Sequence, residues 1–274
     1  MNDAICGDKF RSLGIRWTIG DVSEHGWEAL RLSILGARRI FGPCAQYVVC
    51  VNTVSLSEAR VRMSEVSSDI EWRDVTHELD PVMRTYFDDG LAEGVGWKFA
   101  PMRVFHDRYE LALDNDCILW RMPEAIRHWL HDATETCVIA EDVRPCFGQF
   151  AELCGSEPRN SGIRGIPSSL DLRAVMTDVL AKRSLRLESE LDEQGLQVAA
   201  VRLSRPTHVV RLEEVSICSP FPPHCAELGT CGAHFVGLNA HHLPWKLDDG
   251  RNASARTREH FEHLRPELHR RVGL

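Results

Sequence analysis

Two carboxylates stand one residue apart in the stretch LALDNDCILW, residues 111 to 120. Asp114 and Asp116 flank Asn115 between two apolar runs. Paired carboxylates at this spacing offer hard oxygen ligands to a divalent cation. If LAL is a buried strand, the pair falls at its C-terminal end, where open α/β sheets bind ligands. A chain of this length holds about one Asp-x-Asp by chance. A polar turn, in which Asp and Asn bond their own backbone, also accounts for the triplet. The surrounding elements must decide between the two.

The composition narrows the classes. The 274 residues carry a formal charge of −8, which argues against a nucleic-acid backbone as main partner. Hydrophobic residues make up 43% and charged residues 26%, the balance of a globular chain with a sizeable core. No apolar run reaches membrane-spanning length, and MNDAICGDKFRSLG at the start is too polar for a secretory signal. The 10 cysteines include no C-x-x-C pair. They read as reduced thiols of a cytoplasmic protein, neither a disulfide framework nor a standard zinc site. Cys225 and Cys231 lie near His224 and His234, which leaves a zinc cluster of non-standard spacing open.

The elements that would position the carboxylates can be traced in order. Residues 1 to 14 read as a loosely held leader. Ile15 to Ile19 reads as a strand that stops at Gly20-Asp21. Ser23 can cap a helix with Ala29, Leu32, Ile34 and Leu35 on one face and Gly42 at its end. AQYVVCV, residues 45 to 51, has the continuous apolar run of a buried parallel strand. This βαβ unit places the Gly20-Asp21 turn on the sheet edge that carries Asp114. Beyond it we expect a helix within 57–67, a short strand within 69–74, and a turn or helix at Asp80-Pro81. Loops follow at Asp89-Gly90 and 94–96, and Trp97-Lys98-Phe99 leads to the central strand. A helix starts with Pro123 at or near its first position, and CVIAED, 137–142, is a short buried strand. In 159–167, Ile163 and Ile166 flank a Gly-bearing turn. Helices are expected over 168–180 with a Ser cap, over 185–191, and from Asp192 through 203. Val209-Val210 and 215–217 suggest short strands, FPPH is a Pro-rich loop, and the polar tail from Leu247 has a weakly ended helix over 255–264. One α/β domain is the simplest reading.

Several separated segments then agree in order. They are Thr18-Ile19-Gly20-Asp21 with Gly26, Leu30, Ser33 and Ile34 behind it; Lys98 ahead of Asp114-Asn115-Asp116; Asn160-Ser161-Gly162 with Pro167-Ser168; Glu193-Gln194-Gly195-Leu196; and His234-Phe235-Val236-Gly237 with Pro244-Trp245. Together they resemble the retaining GT-A-fold glycosyltransferases of family 8, the glycogenins and bacterial galactosyltransferases, across about residues 15 to 247. The resemblance implies a single-domain GT-A fold: a Rossmann-like, mostly parallel sheet flanked by helices, with a leader over 1–14 and a polar tail or helix over 248–274. It implies a hexosyltransferase-like enzyme that uses Mn²⁺ or Mg²⁺ and a nucleoside diphosphate sugar, with a uridine diphosphate sugar foremost. It implies metal ligation by Asp114, Asp116 and His234. Donor binding would fall to Thr18, Ile19, Gly20, Asp21, Lys98, Asn115, Asn160, Ser161, Gly162, Gly237 and Lys246, and catalysis to Glu193 and Gln194.

The chemistry is consistent with that assignment. A divalent cation can neutralise the charge that develops on a departing diphosphate. A carboxylate near the reacting carbon can stabilise an oxocarbenium-like transition state or act as nucleophile. The chain departs from the family at named positions. Gly20 and Ser23 stand where the family has an Asn and a base-stacking aromatic residue. Three extra residues separate Gly237 from Pro244, and Leu243 replaces a diphosphate-reaching Lys, for which Lys246, His241 or His242 could substitute. Glu193 stands for Asp. Two other readings keep the fold. One is a non-catalytic nucleotide-sugar binder. The other is a nucleotidyltransferase, which wants a basic Gly-rich loop where this chain has the acidic GDVSEHG.

Overall fold

The computed structural model describes residues 12–87, 96–132, 134–239 and 246–274. The strands are β1 (Leu13–Ile19), β2 (Gln46–Val51), β3 (Glu71–Asp74), β4 (Tyr109–Leu113), β5 (Cys117–Leu119), β6 (Cys137–Glu141), β7 (Arg159–Ile166), β8 (Thr207–Val210), β9 (Val215–Ile217) and β10 (Gly232–His234). The helices are α1 (Glu24–Phe41), α2 (Leu56–Arg62), α3 (Pro81–Arg84), α4 (Glu124–His131), α5 (Ala151–Cys154), α6 (Leu172–Arg183), α7 (Glu190–Ser204) and α8 (Ala253–Val272).

Seven strands form the central sheet in the order β3-β2-β1-β4-β7-β6-β8. β1, β2, β3 and β4 pair in parallel, as do β6 and β8, whereas β7 runs antiparallel to both β4 and β6. β1 and β4 therefore end on one edge, which carries both the Gly20-Asp21 turn and Asp114, as the βαβ reading requires. A small sheet, β5-β10-β9, continues from the end of β4.

Local chemistry explains the elements that flank the site. The Ser23 hydroxyl accepts from the Gly26 N–H at 3.2 Å and caps α1. Gly42, at φ 66°, ends the helix. One face of α1 buries Trp27, Leu30 and Ile34 against the sheet. Trp17 Nε1 donates to Ser33 Oγ at 2.9 Å, and that hydroxyl donates to the Cys117 carbonyl at 2.6 Å. β1, α1 and the strand after the carboxylate pair are thus tied through one buried serine.

The structure corrects three expectations. Residues 159–166 form a strand, not a turn. Neither Gly162 nor Gly165 has a positive φ. They are glycines because a Cβ would meet the His234 ring at 2.3 Å and the Trp129 ring at 3.0 Å. The helix expected over 185–191 does not form before Glu190, where α7 begins. Leu187 instead bridges Phe87, and Ser189 and Asp192 form the capping box of α7. Asp171, rather than Ser168, is the N-cap of α6, whereas Pro123 stands at the start of α4 as expected.

The tail helix is longer than its polar sequence suggests, running Ala253–Val272. Its Phe261, Leu268 and Val272 pack with Trp120 and Phe235 in one apolar cluster. Eight described cysteines are free, but Cys44 is disulfide-bonded to a partner outside the described residues. The reduced-thiol expectation thus fails at Cys44, which lies half-buried in a short turn after α1. Among the described residues, no helix is long and apolar enough to cross a membrane.

Candidate active site

The site is assembled by strand register. β4 delivers Asp114 at its end, and the chain turns through Asn115-Asp116 into β5. β10 pairs antiparallel with β5 so that His234 faces Cys117, and the Phe235 N–H donates to the Asp116 carbonyl at 3.0 Å. A histidine 118 positions later in the chain thereby lands beside the carboxylates. β7 closes the other side, where the Asp114 N–H donates to the Gly162 carbonyl at 2.9 Å.

Among the described residues, Asp114, Asp116 and His234 form the one group of three acidic, His or Cys side chains able to hold a metal ion. The zinc cluster left open for Cys225, Cys231 and His224 is not assembled there. His234 Nε2 lies 3.2 Å from Asp116 Oδ1 and 3.6 Å from Asp114 Oδ2. Ligands about 2.1 Å from an octahedral ion, at right angles, lie about 3 Å apart, so the spacing fits such an ion. Two carboxylate oxygens and one imidazole nitrogen suit Mn²⁺, with Mg²⁺ as substitute.

Lys98 completes the charge balance. Its Nζ lies 2.9 Å from Asp114 Oδ2 and 3.4 Å from Glu193 Oε2. Burial works against the Lys98 ammonium, but Asp114 and Glu193 overcome it and hold its pKa above the usual lysine value. Burial likewise pushes Asp114 up, yet Lys98 and His234 prevail and hold it below the usual aspartate value. At Glu193 burial wins over Lys98, and its pKa is raised. At His234 burial opposes the charge, but the bond to Asp116 and the charges of Asp116 and Asp114 raise the pKa.

The buried pair Arg16–Glu110 holds the Lys98 loop. Arg16 donates to the Lys98 and Pro101 carbonyls at 2.8 and 2.6 Å, and Glu110 Oε2 accepts from the Val104 and Phe105 N–H groups at 2.7 and 2.8 Å. Behind Glu193, Gln197 donates to its carboxylate and accepts from the buried Arg164.

The other expected residues divide by what they touch. Asn115 exchanges side-chain hydrogen bonds with Asn239, which also donates to Asp116 Oδ2 at 3.0 Å. Asn160 donates to Asp142 at 2.9 Å and accepts from the Gly162 N–H at 2.7 Å. Gln194 donates to the Cys146 carbonyl at 3.0 Å and to Asp142 at 3.4 Å, and accepts from the Ser161 N–H at 3.4 Å. These two carboxamides brace the strand that carries Ser161 and Gly162. The first turn reaches the site through Trp97, whose ring packs on Gly20 where any Cβ would stand. Thr18 is half-buried, the Ile19 side chain belongs to the core, and Asp21 is exposed, with its N–H on Thr53 Oγ1 at 3.1 Å. Gly237, at φ 83°, makes the turn that returns Asn239 to the carboxylates. Lys246 is exposed and bridges Asn252 ahead of α8, with no hydrogen bond or ion pair to the cluster among the described residues. His241, His242, Leu243, Pro244 and Trp245 lie outside the described residues.

Sequence reasoning missed Asn239, Asp142, Gln197, Arg164 and Arg16. Asp142 ends a predicted strand and Asn239 follows the late glycine, which were the available hints. The other three are polar residues inside regular elements, where nothing local marks them.

No family model and no curated protein matches the chain by sequence. Solved structures match it by shape. The galactosyltransferase LgtC in complex with donor and acceptor sugar analogues superposes with a TM-score of 0.56 at 10% identity, over 93% of this chain and 99% of that one. An active-site mutant of LgtC gives 0.55 at 10% identity, over 91% and 95%. The bifunctional glycosyltransferase WbbM gives 0.50 at 13% identity, over 97% of this chain and 52% of that one. The chain has the GT-A glycosyltransferase fold.

Proposed function

We propose that this chain is a metal-dependent glycosyltransferase that takes a sugar from a nucleoside diphosphate sugar, a uridine diphosphate sugar foremost, and transfers it with retention. The observation that carries this reading is the Asp114–Asp116–His234 cluster, its Asp116 and His234 buried, with Lys98 and Glu193 against it at the C-terminal edge of a GT-A sheet. A diphosphate leaving group needs positive charge where its bond breaks. When bound, a divalent ion held by Asp114, Asp116 and His234 supplies Lewis acidity to the diphosphate. Lys98 adds a fixed cation on the same side and aligns Asp114 and Glu193 through one ammonium. In this reading Glu193, held by Gln197, is the carboxylate that serves the reacting carbon, and Gln194 follows it in α7. On the same reading the Ser161–Gly162 strand, braced by Asn160, Gln194 and Asp142, borders the sugar.

Calorimetric titration with a panel of nucleoside diphosphates and their sugars, with and without Mn²⁺, tests the reading. Binding should require the ion and vanish in Asp116→Asn, and the best donor should undergo slow hydrolysis. Absence of nucleotide binding in both metal conditions would remove the transferase assignment. Tight, metal-dependent binding with no hydrolysis or transfer would make the chain a donor-binding protein.

A further inference from the structure

A cavity of about 500 Å³ opens away from this site, where the end of α1, the end of β5 and the last turn of α8 meet. Four guanidiniums line it, from Arg39, Arg121, Arg270 and Arg271, against the single carboxylate of Glu267. Glu267 accepts from Arg270 Nε at 2.9 Å and Arg271 Nε at 2.6 Å. Arg39 donates to the Arg271 carbonyl at 3.4 Å. Among the described residues, neither Arg39 nor Arg121 pairs with a carboxylate. Several other arginines of this acidic chain do pair with carboxylates, among them Arg38 with Asp69, Arg62 with Glu24, Arg73 with Glu78 and Arg173 with Asp80.

Arg39, Arg270 and Arg271 sit in the last turns of their helices, where a cation suits the dipole. That accounts for cations at each helix end. It does not account for their convergence with Arg121, which belongs to no helix. Each helix end contributes about half a negative charge, so among the lining groups, with Glu267 counted, about two positive charges remain. Arg271 already lies 4.9 Å over the Trp120 ring, which holds its guanidinium in place before any ligand arrives.

We propose that this cavity binds a phosphate group. Guanidinium forks match phosphate oxygens in pairs, and a compact anion of charge near −2 balances the residual field. Trp120 lies four residues past Asp116, about 13 Å along an extended strand. The cavity is therefore separate from the cluster and does not depend on the donor reading.

The test is calorimetric titration with sodium pyrophosphate in EDTA, so that no divalent ion bridges it to the cluster. Wild type should bind saturably, and the doubly substituted Arg39→Ala, Arg121→Ala chain at least tenfold more weakly. Asp116→Asn should bind as wild type. Both arginines are exposed, so the double variant should melt with wild type. No saturable binding at millimolar pyrophosphate, or equal binding by the double variant, overturns the proposal. Sedimentation with phosphatidylcholine vesicles, with and without phosphatidic acid, identifies the source. Retention that needs phosphatidic acid and both arginines places the phosphate on a lipid headgroup, and pyrophosphate binding without retention places it on a soluble ligand. Either result supports the cavity as a phosphate site.

Discussion

A Cβ at position 162 would stand 2.3 Å from His234 Cε1 and 2.7 Å from Nδ1. The imidazole therefore holds its place because Gly162 has no side chain. Gly162→Ala should turn the ring from the carboxylates and lower Mn²⁺ affinity about ten- to a hundredfold, read by calorimetry; unchanged affinity would remove His234 from the ligand set. Asn239 acts from the other side, fixing Asp116 and Asn115 together. Asn239→Ala should weaken Mn²⁺ binding about tenfold and cost about 1–2 kcal/mol of stability in urea melts. Asp114, Asp116, His234, Lys98 and Glu193 were each named from the sequence through the family resemblance, and the structure brings them together. An amide such as Asn239, whose role is to bond a neighbour 123 positions away, carries no local pattern.

At the scale of elements, α8 and α1 meet through Glu28, which bonds Arg31 and His269, the latter at 2.7 Å. Burial pushes the Glu28 carboxyl up, but Arg31 and His269 outweigh it and hold its folded pKa below the ordinary glutamate value. A depressed carboxyl adds stability above its unfolded pKa and loses it as pH falls through the folded one. Glu28→Gln should thus cost about 1 kcal/mol at pH 7, discounted for partial exposure. Its urea midpoint should converge on that of wild type below about pH 4. A gap that persists in acid would assign the effect to packing. β7 shows why an element can be misread: its two glycines looked like turn residues, yet each makes room for an aromatic ring on another element.

For the whole molecule, the tail is part of the core. Phe261, Leu268 and Val272 are buried against the small sheet that carries His234. Burying such side chains contributes about 1.5–3 kcal/mol each, a large share of the roughly 5–15 kcal/mol that holds a folded protein together. Deletion of 253–274 should abolish the cooperative thermal transition followed by circular dichroism. A truncated chain that still melts cooperatively would show that α8 is an appendage.

The sequence by itself determined the βαβ start, the edge on which Asp114 lies, and the residue types that could hold a cation. Those features rest on local periodicity, caps and side-chain chemistry, all readable within a few neighbours. Only the tertiary structure decided that β7 runs antiparallel beside β4, that His234 faces Cys117, and that Asn239 and Asp142 brace the site. It also decided that a charged tail helix is a core element. Strand register and the far partner of a buried polar group depend on which surfaces meet, and neighbours along the chain do not encode that.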